Sequence, residues 1–216
     1  MSASCRLCGC EETALLLRDE AHGREFVHCP GCDAVSVPDE FLLGPDEERA
    51  RYARHRNDPA DEGYRAFLRN LLDEVVPRVA PGAEGLDYGC GEPPVLMAML
   101  EEAGLRMTGF DLYFPCAEAA LACTYDFIVC SETAEHFREP LAEFARLNSL
   151  LRPGGVLAVM TGMLGDREEF ARWHYRTDAT HICFYTPRTM RWLAEHFGWA
   201  LELPRANVAV FGRPGS

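Results

Sequence analysis

The chain has 216 residues, of which 48% are hydrophobic and 25% charged, and these proportions fit a folded protein with a sizeable core rather than a disordered one. Its 21 basic and 34 acidic residues give a formal charge of -13, which disfavours a polyanion such as nucleic acid as a partner. Every strongly basic side chain is Arg, so Schiff-base lysine chemistry and a P-loop are excluded.

The first ten residues, MSASCRLCGC, lack the apolar core of a signal peptide, and no later run approaches the roughly 18 apolar residues of a membrane span. We therefore expect no membrane association and a cytoplasmic location. In that compartment cysteines serve as metal ligands or reduced thiols rather than as a disulfide framework.

Two Cys-x-x-Cys pairs near the start of the chain have the spacing of a zinc site. Cys5 and Cys8 form the first pair, and Cys29 and Cys32 follow about twenty residues later. Four thiolates would close the tetrahedral shell of a structural Zn²⁺, which leaves Cys10 and His28 as bystanders. A redox-active dithiol is the competing interpretation of either pair.

Short apolar runs between and after these pairs, ALLLRD, REFVHC and AVSVP, predict three strands of a small zinc ribbon that needs its metal to be stable. We assign the ribbon to residues 1–40, a connecting segment to residues 41–63 and the main domain to residues 64–216. The connecting segment contains Tyr52, His55 and Asn57, whose spacing is typical of surface or capping groups. An amphipathic helix with an apolar stripe from Tyr64 to Val76 then leads into the main domain.

The main domain begins with a strand, a glycine-rich turn and a helix in the run EGLDYGCGEPPVLMAML. A second strand, RMTGFD, ends on Asp111, about twenty residues after Gly91, where an acid is suited to bind both hydroxyls of a ribose. The third glycine of a dinucleotide fingerprint is replaced, because Glu92-Pro93-Pro94 follows Gly91. This change disfavours NAD or FAD, and an NAD-dependent oxidoreductase ranks last among the functions considered.

The rest of the chain continues the alternation of strands and helices. Residues 125–130 read as a buried parallel strand, and residues 131–136 follow at its carboxyl end, where ligands bind in such sheets. A helix stopped by Pro153-Gly154-Gly155, a strand VLAVMTG, a helix starting at Thr-Pro, and a closing strand pair complete the pattern. We predict an α/β Rossmann-like fold with a mostly parallel twisted sheet, helices on both faces and an antiparallel C-terminal strand pair.

From Tyr64 onward the chain resembles class I S-adenosylmethionine-dependent methyltransferases. The resemblance rests on four ordered motifs: LDYGCG, the acid Asp111, YDFIVCSETAEHF and LRPGGVLAV. The whole chain also resembles a bacterial group that joins a four-cysteine ribbon to this domain and carries DxTHICFY near its end. The resemblance implies S-adenosylmethionine as cofactor, methyl transfer as the activity, and a small-molecule or carrier-bound acceptor as substrate.

The resemblance also implies roles for particular residues. Gly89, Cys90 and Gly91 would pass under the methionine part of the cofactor, and Asp87 would orient that loop. Asp111, with Leu112 beside it, would hold the ribose end, and Glu132 would position the cofactor or line the acceptor pocket. The usual acidic contact to the adenine is not recognisable, because the segment between Asp111 and Tyr125 is short.

Methyl transfer to oxygen or carbon requires alignment of the acceptor and removal of a proton. The aromatic-rich run WHYRTDATHICFYT supplies His181 as the candidate base, with Asp178 orienting its imidazole and Tyr175 shaping the acceptor pocket; a purely structural His181 is the alternative. Glu132, Glu135 and His136 resemble a divalent-metal arrangement of some quinone O-methyltransferases, although helix capping by Glu135 and His136 is the simpler interpretation. The alternative function is a non-catalytic docking protein built from ribbon and Rossmann-like domain.

Overall fold

The computed structural model describes residues 4–52, 57–114 and 118–215. Within these ranges the strands are β1 Ala14–Asp19, β2 Arg24–His28, β3 Val35–Ser36, β4 Glu84–Tyr88, β5 Arg106–Phe110, β6 Tyr125–Ser131, β7 Leu151–Met160, β8 Cys183–Phe184, β9 Ala200–Arg205 and β10 Val208–Gly212. The α-helices are α1 Pro45–Tyr52, α2 Glu62–Val75, α3 Val95–Glu102, α4 Pro140–Leu150 and α5 Pro187–Phe197. None of these helices combines the length and the apolar character needed to cross a membrane.

The main sheet has six strands in the order β5-β4-β6-β7-β10-β9. The first four run parallel to one another, whereas β10 is antiparallel to both β7 and β9. This topology confirms the predicted Rossmann-like fold with a mostly parallel sheet and an antiparallel closing pair. Parallel strands need long crossover connections, and helices of the intervening segments supply them.

The two faces of the main sheet bury separate apolar clusters. Alternate residues of β6 show the division, because Phe127 and Val129 join the cluster that contains α2 and α3, while Ile128 and Cys130 join the cluster that contains α4 and α5. A strand buried on both faces reads as a continuous apolar run, which is the pattern that the sequence displays at this strand. The core therefore lies on both sides of the sheet and leaves its carboxyl edge open for a site.

Local sequence explains where α2 starts and where α5 starts and ends. The Asp61 carboxylate accepts hydrogen bonds from the backbone N–H groups of Gly63 and Tyr64 at the start of α2. Thr186 caps α5 through a reciprocal capping box with Thr189, and Gly198 ends that helix at a φ of 69°.

The predicted end of α4 is one difference from the sequence analysis. The helix ends at Leu150, and Pro153, Gly154 and Gly155 lie inside β7 instead of stopping the helix. A Cβ atom at Gly155 would lie 2.8 Å from the backbone oxygen of Asp126, so glycine here permits close approach of β7 to β6.

A second, four-stranded sheet has the order β1-β2-β3-β8. Its fourth strand comes from far along the chain, because Val35 and Ser36 pair antiparallel with Phe184 and Cys183. The two residues of β8 are too short a run to show an alternating pattern, so the sequence predicted no strand there. The ribbon therefore shares its sheet with a segment of the main domain.

Candidate functional site

The carboxyl ends of β4, β5 and β6 border a cavity of about 410 Å³. The seven residues expected at a cofactor all line it: Asp87, Gly89, Cys90, Gly91, Asp111, Leu112 and Glu132. They arrive from three neighbouring strands because parallel strands end at the same edge of the sheet. The place of the cavity is therefore that of a ligand site in an open α/β fold.

The glycine-rich turn exposes backbone to this cavity. Gly89 and Gly91 have φ values of 85° and 63°, a region in which glycine alone is unstrained. A Cβ atom at Gly89 would lie 2.2 Å from the Thr133 hydroxyl, so no side chain fits there. The N–H groups of Gly89 and Cys90 both donate to the Phe110 carbonyl, at 2.7 and 3.1 Å, which ties the turn to the end of β5.

Asp111 lies directly after β5 and joins the turn to the next segment. Its Oδ2 accepts from the Gly91 N–H at 3.0 Å, and its Oδ1 accepts from the Tyr113 N–H at 2.8 Å. These bonds fix the carboxylate at the cavity wall, in the position expected of a ribose acid. The following Leu112, which also lines the cavity, is 78% exposed.

Asp87 is the most buried acid that lines the cavity. Its side chain is 1% exposed, and its Oδ2 has no hydrogen-bond partner among the described residues. Burial, together with the charge of Asp111, raises the pKa of Asp87 to about 7. The Met97 backbone N–H stabilises the carboxylate, but a buried oxygen without a partner is costly, so a donor from a ligand in this cavity would satisfy Oδ2.

Behind Glu132, which lines the cavity, lies a group of interacting acids and hydroxyls. Tyr175 donates to Glu135 and lies 3.2 Å from Glu132, while the Thr161 hydroxyl donates to Glu135 at 2.8 Å. Burial and the charge of Glu135 raise the pKa of Glu132 to about 8. Glu132 also has a φ of 45°, a left-handed conformation that costs energy for a non-glycine residue.

The capping role predicted for Glu135 and His136 is wrong. The helix that follows, α4, begins at Pro140 after Glu139 and has no side-chain cap. Glu135 instead points into the protein and is fully buried against Thr161 and Tyr175.

His181 is oriented by a main-chain carbonyl rather than by Asp178. Its Nδ1 lies 2.7 Å from the Tyr175 carbonyl oxygen, whereas the Asp178 carboxylate accepts from the N–H and the hydroxyl of Thr180, at 2.8 and 2.7 Å. The short turn allows Asp178 to bond its own backbone two residues ahead, which explains why it turns away from the imidazole. Burial lowers the pKa of His181.

His136 lines the cavity and packs against His181. The two imidazole centroids lie 4.8 Å apart, and His136 Nδ1 lies 2.9 Å from the Thr180 carbonyl oxygen. Among the described lining residues His136 is present, and His181, Asp178 and Tyr175 are not. None of the three residues expected to be catalytic therefore lines the cavity, although Tyr175 and His181 contact residues that do.

Glu135, His136 and His181 also offer ligand atoms that all lie within 4.8 Å of one another. The metal arrangement considered from the sequence contained Glu132 in place of His181. In the structure Glu132 does not belong to the cluster, and the second imidazole comes from a segment some forty-five residues further along the chain. Sequence spacing alone had no means of pairing these two histidines.

Two residues of the connecting segment also line the cavity, contrary to the surface or capping role expected for them. The Tyr52 ring packs 4.9 Å from that of Tyr113 and 5.2 Å from that of His136. Asn57 lies beside the glycine-rich turn, because a Cβ at Gly91 would be 2.9 Å from its amide nitrogen. His55 lies outside the described residues. A density of hydrogen-bonding side chains was the only sequence signal for this wall.

The four predicted zinc ligands form one compact cluster. The Sγ atoms of Cys5 and Cys32 are 3.6 Å apart, those of Cys8 and Cys29 are 3.4 Å apart, and all four lie within 4.8 Å of one another. Hydrogen bonding from Cys32 lowers the pKa of Cys5 to about 5. The donor set fits a tetrahedral zinc ion, while His28 is engaged with Asp33 at 2.8 Å.

We expect Asp87 to make the protein less stable as pH rises from 4 to 7. Its ordinary pKa is 3.8, so in this window the folded chain holds a proton that the unfolded chain has released, and stability falls. One pKa unit corresponds to about 1.4 kcal/mol. Between pH 5 and pH 8 the free energy of unfolding of the parent should therefore fall by roughly 2 kcal/mol or more relative to that of an Asp87→Asn variant.

Urea unfolding of the ligand-free proteins at pH 5, 6.5 and 8 measures this difference. Asp73→Asn, at a half-exposed acid on α2, serves as the control. The same pH slope in the parent and in Asp87→Asn would show that Asp87 is ionised normally in the folded state.

Comparison with known proteins agrees with this geometry. A family model described as a methyltransferase domain matches residues 52–203. A ubiquinone biosynthesis O-methyltransferase of Xanthomonas campestris is 33% identical over 115 residues, covering 42% of this chain and 48% of the relative. A protein of the same name from Dinoroseobacter shibae is 32% identical over 93 residues, covering 42% and 36%. The aligned regions thus span half or less of these curated relatives.

Among solved structures, the Burkholderia thailandensis 1,6-didemethyltoxoflavin-N1-methyltransferase, with 1,6-didemethyltoxoflavin and S-adenosylhomocysteine bound, has a TM-score of 0.58 at 18% identity. The alignment covers 87% of this chain and 98% of that one. At this identity the likeness shows a shared fold. Because the family model spans well over half of the residues, the chain belongs to the methyltransferase domain family.

Proposed function

We propose that the protein transfers a methyl group from S-adenosylmethionine to a small-molecule or carrier-bound acceptor. The observation that carries the proposal is one cavity that joins the residues expected at a cofactor to a histidine. We assign the cofactor to the end with the bare glycine turn, Asp111 and Asp87, whose Oδ2 has no hydrogen-bond partner among the described residues, and the acceptor to the end with Glu132 and His136. The named activities of the curated relatives, O-methylation in ubiquinone biosynthesis, support a small-molecule acceptor.

The residues at the first end suit the cofactor. Asp111 would accept hydrogen bonds from the ribose hydroxyls, and the turn from Gly89 to Gly91 would lie under the methionine part, where a side chain would obstruct it. Asp87 offers a buried oxygen to a donor of the cofactor. The bound cofactor would supply a methyl group on a positively charged sulfur, and the acids of the cavity favour a cation of this kind.

At the second end we place the proton acceptor at His136. Its Nδ1 faces the Thr180 carbonyl oxygen and so carries the proton, which leaves Nε2 free to accept one from the acceptor. His181, the base expected from the sequence, packs behind His136 and would act through it. Tyr175 would fix Glu132 and Glu135 in place through its hydroxyl.

The four cysteines would hold a structural zinc ion, which takes no part in the chemistry. Four thiolates leave no open coordination position for a substrate. The ribbon sheet is small, so the metal would contribute much of the stability of that part of the chain.

The first expected result is tight binding of the cofactor product. S-adenosylhomocysteine should bind the purified protein with a Kd in the micromolar range or below in calorimetry, and Asp111→Asn should weaken it about tenfold or more by removing the charged acceptor of two hydroxyls. Asp166→Asn, at an exposed acid away from the cavity, is the control. A parent protein without affinity for S-adenosylhomocysteine or S-adenosylmethionine would favour the non-catalytic docking alternative.

The second expected result concerns the base. In a screen of phenolic and other small acceptors with methyl-labelled S-adenosylmethionine, His136→Gln should lower kcat about a hundredfold or more on the acceptor found. His181→Gln should lower it less, about tenfold, because it acts through its neighbour.

The control for this experiment is His196→Gln, at an exposed histidine of α5. Full turnover by His136→Gln would remove its catalytic role. Turnover that depends on added Mg²⁺ or Mn²⁺ would instead assign Glu135, His136 and His181 to a divalent cation.

The third expected result is one zinc ion per chain by elemental analysis. Cys5→Ser should lose the metal and lower the Tm by several degrees, since the ribbon depends on the ion for folding. Cys123→Ser, at an exposed cysteine outside the cluster, should retain the metal and the parent Tm. A Cys5→Ser protein with unchanged Tm would contradict a structural role for the metal.

A further inference from the structure

The segment that carries Tyr175 and His181, residues 173–182, is held from outside by the N-terminal ribbon. Arg24, the first residue of β2, is 5% exposed although it carries a charge. Its guanidinium donates to the carbonyl oxygens of Asp178 at 2.7 Å and His181 at 2.6 Å, with a longer contact of 3.4 Å to that of Arg176. The charges of Asp178 and Asp19 stabilise this buried guanidinium, but its hydrogen bonds go to backbone carbonyls, so its donors fix the main chain of the segment.

A second ribbon residue, with a charge opposite to that of Arg24, binds the same segment. Asp19, the last residue of β1, is buried and forms an ion pair with the Arg176 guanidinium. It also lies 2.9 Å from the His22 imidazole. The two neighbouring strands of the ribbon therefore hold both the main chain and a side chain of the segment.

Main-chain hydrogen bonds connect the ribbon, through this segment, to the loop after β6 that borders the cavity. The Val37 N–H donates to the Ile182 carbonyl at 2.9 Å, and the Ile182 N–H donates to the Glu135 carbonyl at the same distance. The segment thus lies between the ribbon on one side and the loop after β6 on the other. Its side chains meet cavity residues directly, since Tyr175 bonds Glu132 and the His181 ring packs on that of His136.

We propose that the ribbon is the scaffold of the acceptor end of the site, and that Arg24 is its positioning residue. Arg is suited to this task because its planar fork presents several donors at fixed angles, so one side chain can fix several carbonyls of a turn at once. The ribbon residues that grip the segment contact neither Asp87 nor Asp111 nor the glycine turn within the described chain. We therefore expect Arg24 to affect the alignment of the acceptor and to leave cofactor binding unchanged. The consequence of Arg24 for catalysis rests on the function proposed above.

Hydrogen exchange of the full-length, zinc-loaded protein tests this inference without an acceptor. In Arg24→Gln the amides of residues 175–182 should exchange about tenfold faster or more, because the carbonyls that the guanidinium fixed are released. The amides of β4 and β5 should keep their parent rates. Arg18→Gln is the matched control, since Arg18 lies on the adjacent strand of the same sheet but is mostly exposed in its pair with Glu25.

Two further measurements separate positioning from a general loss of structure. The imidazole signals of His136 and His181 in ¹H–¹³C spectra should shift in Arg24→Gln and not in Arg18→Gln, while S-adenosylhomocysteine affinity stays within about twofold of the parent. Arg24→Lys should restore part of the protection, because one ammonium can reach fewer carbonyls than the fork. If Arg24→Gln loses its zinc or fails to fold, the same exchange comparison is made on Arg24→Lys, where protection should fall between the parent and complete loss.

Unchanged exchange in residues 175–182 of a folded Arg24 variant would overturn the inference. So would an equal rise in exchange at β4 and β5, since that result indicates global loosening. A parent protein that fails to bind S-adenosylhomocysteine would instead count against the proposed function, and the exchange result would stand apart from it.

Discussion

The register of three parallel strands is the constraint on which the site depends. Tyr88 pairs with Phe110, and Asp87 pairs with Val129, so β5, β4 and β6 end side by side. The residue that follows each strand is therefore delivered to one edge. Short bonds from the glycine turn to the Phe110 carbonyl and to Asp111 then lock the ends together. A slip of one residue in this register would turn Asp87 to the opposite face of the sheet and dismantle the cofactor end.

Buried acids concentrate at this edge in a chain that is already strongly acidic. Asp87 and Glu132 both have raised pKa values, in each case because burial disfavours the charged form and a second acid lies near. Asp111 disfavours the ionised form of Asp87, and Glu135 disfavours that of Glu132, so ionising either acid costs energy in the ligand-free protein. A cofactor with a cationic sulfur and an ammonium group would reverse the sign of this interaction, since the same acids then stabilise it. The electrostatics therefore favour S-adenosylmethionine over the anionic dinucleotides, in agreement with the missing third glycine.

Sequence patterns brought the residues around the glycine turn to one cavity, as the structure shows, but they did not place the residues of the segment 173–182 correctly. Asp87, the glycine turn and Asp111 lie within one strand–turn–helix–strand unit, so periodicity and turn residues place them without knowledge of the remaining fold. The predicted fold class is confirmed for the same reason. The two-residue strand β8 gave no periodic signal, and its partner β3 lies about 150 residues earlier. No local pattern contains that pairing.

The errors at the acceptor end have the same origin. Asp178 was expected to orient His181 because the two are three residues apart, yet a turn lets Asp178 bond Thr180 and leaves the imidazole to a carbonyl. His136 and His181 are far apart in sequence and touch because their segments dock, with Ile182 bonded to Glu135 and His136 to Thr180. Contacts of this kind depend on how separate segments dock, which spacing does not encode.

The two halves of the site are thus built by different physical means. The proposed cofactor end is fixed by backbone hydrogen bonds between neighbouring strands of the main sheet, and such core strands are among the elements most stable against local unfolding. The acceptor end is fixed by a ribbon that shares a sheet with β8 and grips the intervening segment through Arg24 and Asp19. On the proposed assignment of the two ends, substitutions in the ribbon should therefore act on the acceptor end and leave the cofactor end unchanged. The reason is structural, because the hydrogen bonds that hold the glycine turn and Asp111 come from the main sheet and not from the ribbon.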